Sequence, residues 1–208
     1  MKTLVILLVI LASTLWAQAQ GEIYFHTTVP PSRISTNSVP GGPASGVTMP
    51  GVLYYYALFY STTATTVGGN TAPIAGVANG GGYAFDDPNW THVALGTNFS
   101  FGRFLSTVQN TDGSTTVPGV PAGSAASFVV VGWSASMGAN LPALKNYYDL
   151  VYYDQNDWIG QSAVSGLITL GDGTNSPPAN LFGLASPQIP GFVLGETPQF
   201  FPNLPRWP

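Results

Sequence analysis

The chain predicts a mainly β protein, an antiparallel β-sandwich of jelly-roll type with one short α-helix near residues 141–152. Three observations predict it. Short runs rich in Val, Tyr, Phe and Thr recur between clusters of Gly, Pro, Asn and Ser. One segment alone shows helical spacing. The composition is 45% hydrophobic and 12% aromatic with only 7% charged, which suits a packed core, since disordered chains are poor in aromatics and rich in charge.

The N-terminus reads as an export signal. Lys2 gives a positive start, Leu4 to Leu15 are apolar or small throughout, and Ala17-Gln18-Ala19 has the small-x-small pattern after which signal peptidases cut. The apolar run falls short of the ~20 residues of a spanning helix. Residues 1–19 are therefore expected to be a signal peptide, cut between Ala19 and Gln20. Residues 20–208 are expected to form a single β-sandwich domain with a proline-rich tail from about residue 176. No later stretch is long and apolar enough to span a bilayer, so the expected location is extracellular or periplasmic.

Along that domain, Ile23-Tyr24-Phe25-His26-Thr27-Thr28 is a short β-type run ending before Pro30-Pro31. Residues 30–50 carry five prolines and predict a long loop. Val52 to Thr63 is the clearest strand. Val52, Tyr54, Tyr56, Leu58 and Tyr60 fall on one face, with Leu53, Tyr55, Ala57 and Phe59 on the other, so the strand should be central and covered on both sides. Shorter β-type runs follow at Thr91–Leu95, Phe99–Thr107, Ser127–Gly132 and Ser162–Leu170. Turn clusters such as Thr111-Asp112-Gly113-Ser114, Pro118-Gly119-Val120-Pro121 and Gly171-Asp172-Gly173 separate them.

Asn140 is placed to cap the helix, with Pro142 in its first turn. Leu141, Leu144, Tyr148 and Val151 share one stripe, and Lys145 and Asp149 stand at i,i+4. After Ser176 the density of prolines allows only edge strands or extended packing.

Charge excludes some functions. Five Lys and Arg face nine Asp and Glu, for a net charge of −4, and Arg33, Arg103, Lys145 and Arg206 form no basic stripe. Nucleic-acid binding is therefore not expected. Low charge density gives little colloidal repulsion, which suits adhesion to a surface or matrix. Cys is absent, and a core of this size can do without disulfides.

No residue set meets the demands of catalysis. Gly160-Gln161-Ser162-Ala163-Val164 lacks the second glycine of a nucleophile elbow. His26 and His92, far apart on β-type runs, make no zinc set without further ligands. Asp149, Asp154 and Asp157 form the densest acidic group. Asp154 opens an EF-hand-like spacing, but Ile159 stands where glycine belongs and Ser165 where the closing Glu belongs. A loop calcium site there, completed by Asp172, competes with a plain solvated turn. No enzyme activity, cofactor or metal is expected. Aromatics remain as the functional lead. Trp158, Tyr152, Tyr153 and Trp90 are candidates to stack on sugar rings, while Trp133 is expected in the core.

The segment Pro121–Trp133, with Gly102-Arg103-Phe104, Gly160-Gln161-Ser162, Gly171-Asp172-Gly173 and Pro177-Pro178-Ala179-Asn180-Leu181, resembles exported proteins of verrucomicrobial and planctomycete-type bacteria. Many of these carry a PEP-CTERM sorting tail. The resemblance spans residues 21–194 and implies association with the cell surface and its exopolysaccharide matrix. The chain departs from the pattern at Pro205-Arg206-Trp207-Pro208, where Pro-Glu-Pro, an apolar helix and an Arg cluster would stand, so free secretion is expected. The sequence thus points to a secreted, non-enzymatic structural or matrix-associated protein, with a carbohydrate-binding module as the alternative.

Overall fold

The computed structural model describes residues 19–27, 32–37, 44–48, 53–76, 82–149 and 157–197. The protein is mainly β with one α-helix, as the spacing of short strands predicts. Its centre is the pair β4 (Tyr54–Ser61) and β9 (Ala125–Ser134), joined in unbroken antiparallel register from Tyr54↔Ser134 to Ser61↔Ser127.

The two strands alternate as a pleated chain must. Tyr54, Tyr56, Leu58, Ala126, Phe128 and Val130 enter one core. Ala57, Phe59, Val129, Val131 and Trp133 enter a second core on the opposite face. The two-sided burial expected for residues 52–63 is therefore present, and each of these rings contributes about 1.5–3 kcal/mol on burial.

Around this pair the large sheet adds β2 (Ser35–Asn37), β3 (Ala44–Val47), β6 (Thr91–Ser100), β7 (Arg103–Ser106), β10 (Trp158–Gln161) and β13 (Val193–Glu196), in the order β3-β2-β13-β10-β9-β4-β6-β7. Two short strands, β5 (Ile74–Ala75) and β11 (Ile168–Thr169), attach to β10 and β9. A second sheet of β12 (Ala179–Asn180), β1 (Gln20–Tyr24) and β8 (Thr115–Pro121) covers the first core with Ile23, Val117 and Val120. Most pairings are antiparallel, but β1–β12 and β2–β13 are parallel, so both sheets are mixed.

The large sheet curls until its ends meet. Ile34 N–H donates to the Gly102 carbonyl at 3.0 Å, and Gly102 N–H donates to the Thr48 carbonyl at 2.9 Å. The turn joining β6 to β7 thus closes onto the segments flanking β2 and β3. Gly102 has φ +66°, and a Cβ there would lie 3.0 Å from the Arg33 Cβ, so glycine alone fits this seam.

The second core is closed by helix α1 (Leu141–Asp149) and the loops around Val67, Tyr83, Phe85 and Trp90. Asn140 caps the helix as expected, its Oδ1 accepting from Ala143 N–H at 2.9 Å. Leu144 is buried, with Leu141, Tyr147 and Tyr148 packed beside it. Residues 150–152, including Val151 of the expected stripe, lie outside the described residues. The expected Lys145–Asp149 pairing gives way to a tertiary one, since Lys145 reaches the Phe85 carbonyl and sits 3.7 Å from Asp86.

Four readings of the sequence are corrected. Residues 30–50 are not all loop, because β2 and β3 form there on main-chain pairing with β13 and with each other. Pro118 to Pro121 belongs to β8 rather than a turn, which its edge position permits, since an edge strand leaves some N–H groups unneeded. Strand β10 starts at Trp158, and the expected strand Ser162–Leu170 shrinks to β11. Finally, β13 lies inside the large sheet between β10 and β2, because Gly191–Thr197 is free of proline within the proline-rich region.

Candidate functional site

The densest buried polar cluster lies where β9, β10, β13 and α1 meet. Asp157 is 1% exposed. Ser136 donates to its Oδ1 and the Tyr147 hydroxyl to its Oδ2. Ser134 and Ser136 hydroxyls are 2.9 Å apart, and Trp158 N–H donates to Ser134 Oγ at 3.1 Å. A consistent direction runs Trp158 N–H to Ser134 to Ser136 to Asp157, which polarises each bond along the chain. Thr197 N–H donates to the Asp157 carbonyl at 2.8 Å. The carboxylate therefore ties the helix and the one-turn 3₁₀ helix Ala135–Met137 to the sheet. Its lone pairs are occupied by hydroxyl donors, an arrangement suited to fixing elements together.

Trp158 follows Asp157 and is half-buried against the first core. Its indole N–H donates to the Asn37 carbonyl at 3.0 Å, while Asn37 Oδ1 accepts from Glu196 N–H at 2.7 Å. Trp90 is only 6% exposed and donates to the Thr66 carbonyl at 3.0 Å. A covered ring has no face to lay against a sugar, so Trp90 belongs to the core and its place among the stacking candidates is withdrawn. Trp133 is fully buried and donates to the Gly138 carbonyl at 2.7 Å. Tyr152, Tyr153 and Asp154 lie outside the described residues, as does Ala17. Ala19 and Gln20 are exposed, and Gln20 opens β1, so a cut between them leaves that strand whole.

The acidic residues do not converge. Ile159 pairs with Trp133 near one end of β9, while Thr169 pairs with Ala125 at the other. At ~3.3 Å per residue, Asp157 and Asp172 are therefore about 30 Å apart. The joint calcium site is corrected accordingly: each carboxylate serves its own neighbourhood. Asp172 accepts from Ser176, Asn175 and Thr174 N–H groups and from the Asn175 amide, which hold its carboxyl well below the usual range. Glu22 and Asp112 meet through the Ser114 hydroxyl, at 2.8 and 2.6 Å. Among the described residues no group of three or more His, Cys, Asp or Glu is arranged to hold a metal ion.

His26 bridges to Leu105 of β7, and His92 lies on β6 with its ring edge against Phe59. Burial lowers the pKa of both. Ser162 Oγ accepts from Val130 N–H at 3.0 Å and donates to the Ala163 carbonyl at 2.8 Å, so the hydroxyl is spent on the backbone.

The sequence reading missed the exposed aromatics of the β6–β7 hairpin. Phe99 is 49% and Phe101 51% exposed, and Leu53, at the head of β4, is 43% exposed. The register of β6 against β7 shifts between Asn98 and Ser100, a bulge that leaves Phe99 unpaired and re-aims it. The alternation of Phe99 and Phe101 around Ser100 was the available signal.

No protein-family model, curated protein or solved structure matches this chain.

Proposed function

We propose that the protein is exported and serves as a non-enzymatic structural component of a cell surface or extracellular matrix. One observation carries this reading. All three tryptophans of the described residues donate their indole N–H to backbone carbonyls, those of Thr66, Gly138 and Asn37. Rings committed in this way stiffen a cysteine-free domain. The buried Asp157 and the hydroxyl of Ser162 are likewise engaged in cross-linking elements. Export is supported by the signal-like residues 1–19 and by the position of Gln20 at the outer end of β1. No helix of the described residues is long and apolar enough to cross a membrane.

The test is fractionation of producing cells with sequencing of the protein's N-terminus. The expected result is a chain beginning at Gln20, recovered from the periplasm, the medium or a salt-extractable matrix. An intact Met1 in a fraction that needs detergent would overturn the reading.

A further inference from the structure

We propose that the outer face of the sheet seam is a docking site for a carboxylate-bearing polysaccharide, read by Arg33 and Arg103 with Phe101 beside them. The proposal deepens the matrix reading by naming a partner chemistry, and rests on it for the choice of a polysaccharide.

The first observation is where the cations stand. Arg33, Arg103 and Lys145 are the basic residues among those described, in a chain of net charge −4. Lys145 is committed to Asp86 and Phe85. The two arginines flank the seam: the Arg33 Cβ is 3.0 Å from the position of a Cβ on Gly102, and Arg103 is the next residue. Ile34 and Phe104 both enter the first core, so Arg33 and Arg103, one residue earlier in each segment, face away from it. Neither guanidinium has a hydrogen bond or ion pair among the described residues. Two like charges set together without a counter-ion repel each other, and an incoming anion relieves that repulsion.

The second observation is shape. An open groove of about 200 Å³ runs beside Arg33, lined also by Ser35, Pro190, Gly191, Phe192 and Val193. It lies along the parallel pair β2–β13, where Ser35 is the register partner of Val193. A guanidinium presents a planar fork of donors that matches a carboxylate. Phe101, half-exposed at the turn before Gly102, supplies an apolar ring for the flat face of a sugar. A concave, uncharged groove with arginines at its margin suits an extended acidic glycan better than a flat lipid surface does.

The experiment titrates the purified protein with polygalacturonate, with neutral dextran and phosphatidylglycerol vesicles as parallel probes. Saturable binding to polygalacturonate, weakened by salt and absent with dextran, is expected. Arg33→Gln and Arg103→Gln should each weaken it about fivefold, and the double variant should flatten the salt dependence. Phe101→Ala should weaken binding while leaving the salt dependence unchanged. Both arginine variants remove exposed or half-exposed side chains, and unchanged far-ultraviolet circular dichroism confirms their folding. Equal binding by the double variant, equal binding of dextran, preference for vesicles, or no binding of polygalacturonate would each overturn the proposal. Fractionation reports where the protein resides and this titration what it holds, so the two readings fail separately.

Discussion

Asp157 and Asp172 do the same chemical job in opposite ways. Each is a carboxylate whose oxygens collect hydrogen bonds, and each fixes a point where the chain changes direction. Asp157 is buried and takes its donors from distant elements, Ser136 on the 3₁₀ turn and Tyr147 on the helix. Asp172 sits on the surface and takes its donors from the four residues that follow it. The first is a tertiary rivet and the second a local turn. Their removal should therefore cost very different amounts, although the count of hydrogen bonds is similar.

The largest effect is expected at the rivet. Asp157→Ala would strand the hydroxyls of Ser136 and Tyr147 in a buried site, and an unsatisfied buried polar group costs about 1–3 kcal/mol. A loss of about 3 kcal/mol in urea unfolding is expected, with faster proteolysis near the helix. Asp157→Asn keeps one acceptor and a donor that the hydroxyls can meet, so it should recover part of that loss. Indistinguishable midpoints for Asp157→Ala and wild type would show that the network is ornamental and that the helix is held by Leu144 and its neighbours alone.

A smaller and pH-dependent effect is expected at the local turn. Backbone donors from Ser176 and Thr174, with the Asn175 amide, hold the Asp172 carboxyl below its ordinary value of 3.8. A depressed carboxyl stabilises the fold fully above the unfolded value and loses that contribution as pH falls through the folded one. Asp172→Ala should therefore lower the midpoint slightly at neutral pH and flatten the decline of stability below about pH 4. Wild type and variant losing stability in parallel through that acid range would break the contrast.

The same contrast explains what the sequence made legible. The turn at Gly171-Asp172-Gly173 and the cap at Asn140 need only neighbours along the chain, and both are present where expected. The two-faced burial of β4 was equally readable, because alternation over eight residues needs no partner to be seen. What was hidden depends on pairing at long range. Strand β2 is three residues long and exists because β13, far along the chain, lies parallel to it. Strand β10 begins inside what looked like an acidic loop, because Asp157 is turned inward by Tyr147 and Ser136. Lys145 bypasses Asp149, its partner by helical spacing, for Asp86 across the fold. For the candidate site, the bulge that re-aims Phe99 is a property of the β6–β7 register, and composition carries no trace of it.

A third polar group sharpens the comparison from the other side. Ser127 on β9 is 1% exposed, and its hydroxyl has no hydrogen-bond partner among the described residues. Its register partner Ser61 has its own oxygen occupied by the Thr63 and Ala64 N–H groups, at 3.3 and 2.9 Å. Where Asp157 holds donors that would be stranded without it, Ser127 is itself the stranded group. Ser127→Ala removes the desolvated hydroxyl and leaves a gap of one oxygen atom, two small terms of opposite sign. The expected outcome is the smallest of the three, a change of about 0.5 kcal/mol or less in either direction by urea unfolding. A loss above about 1 kcal/mol would show that the hydroxyl is held by a partner in solution. Ser127 would then join Asp157 among the groups whose removal strands another.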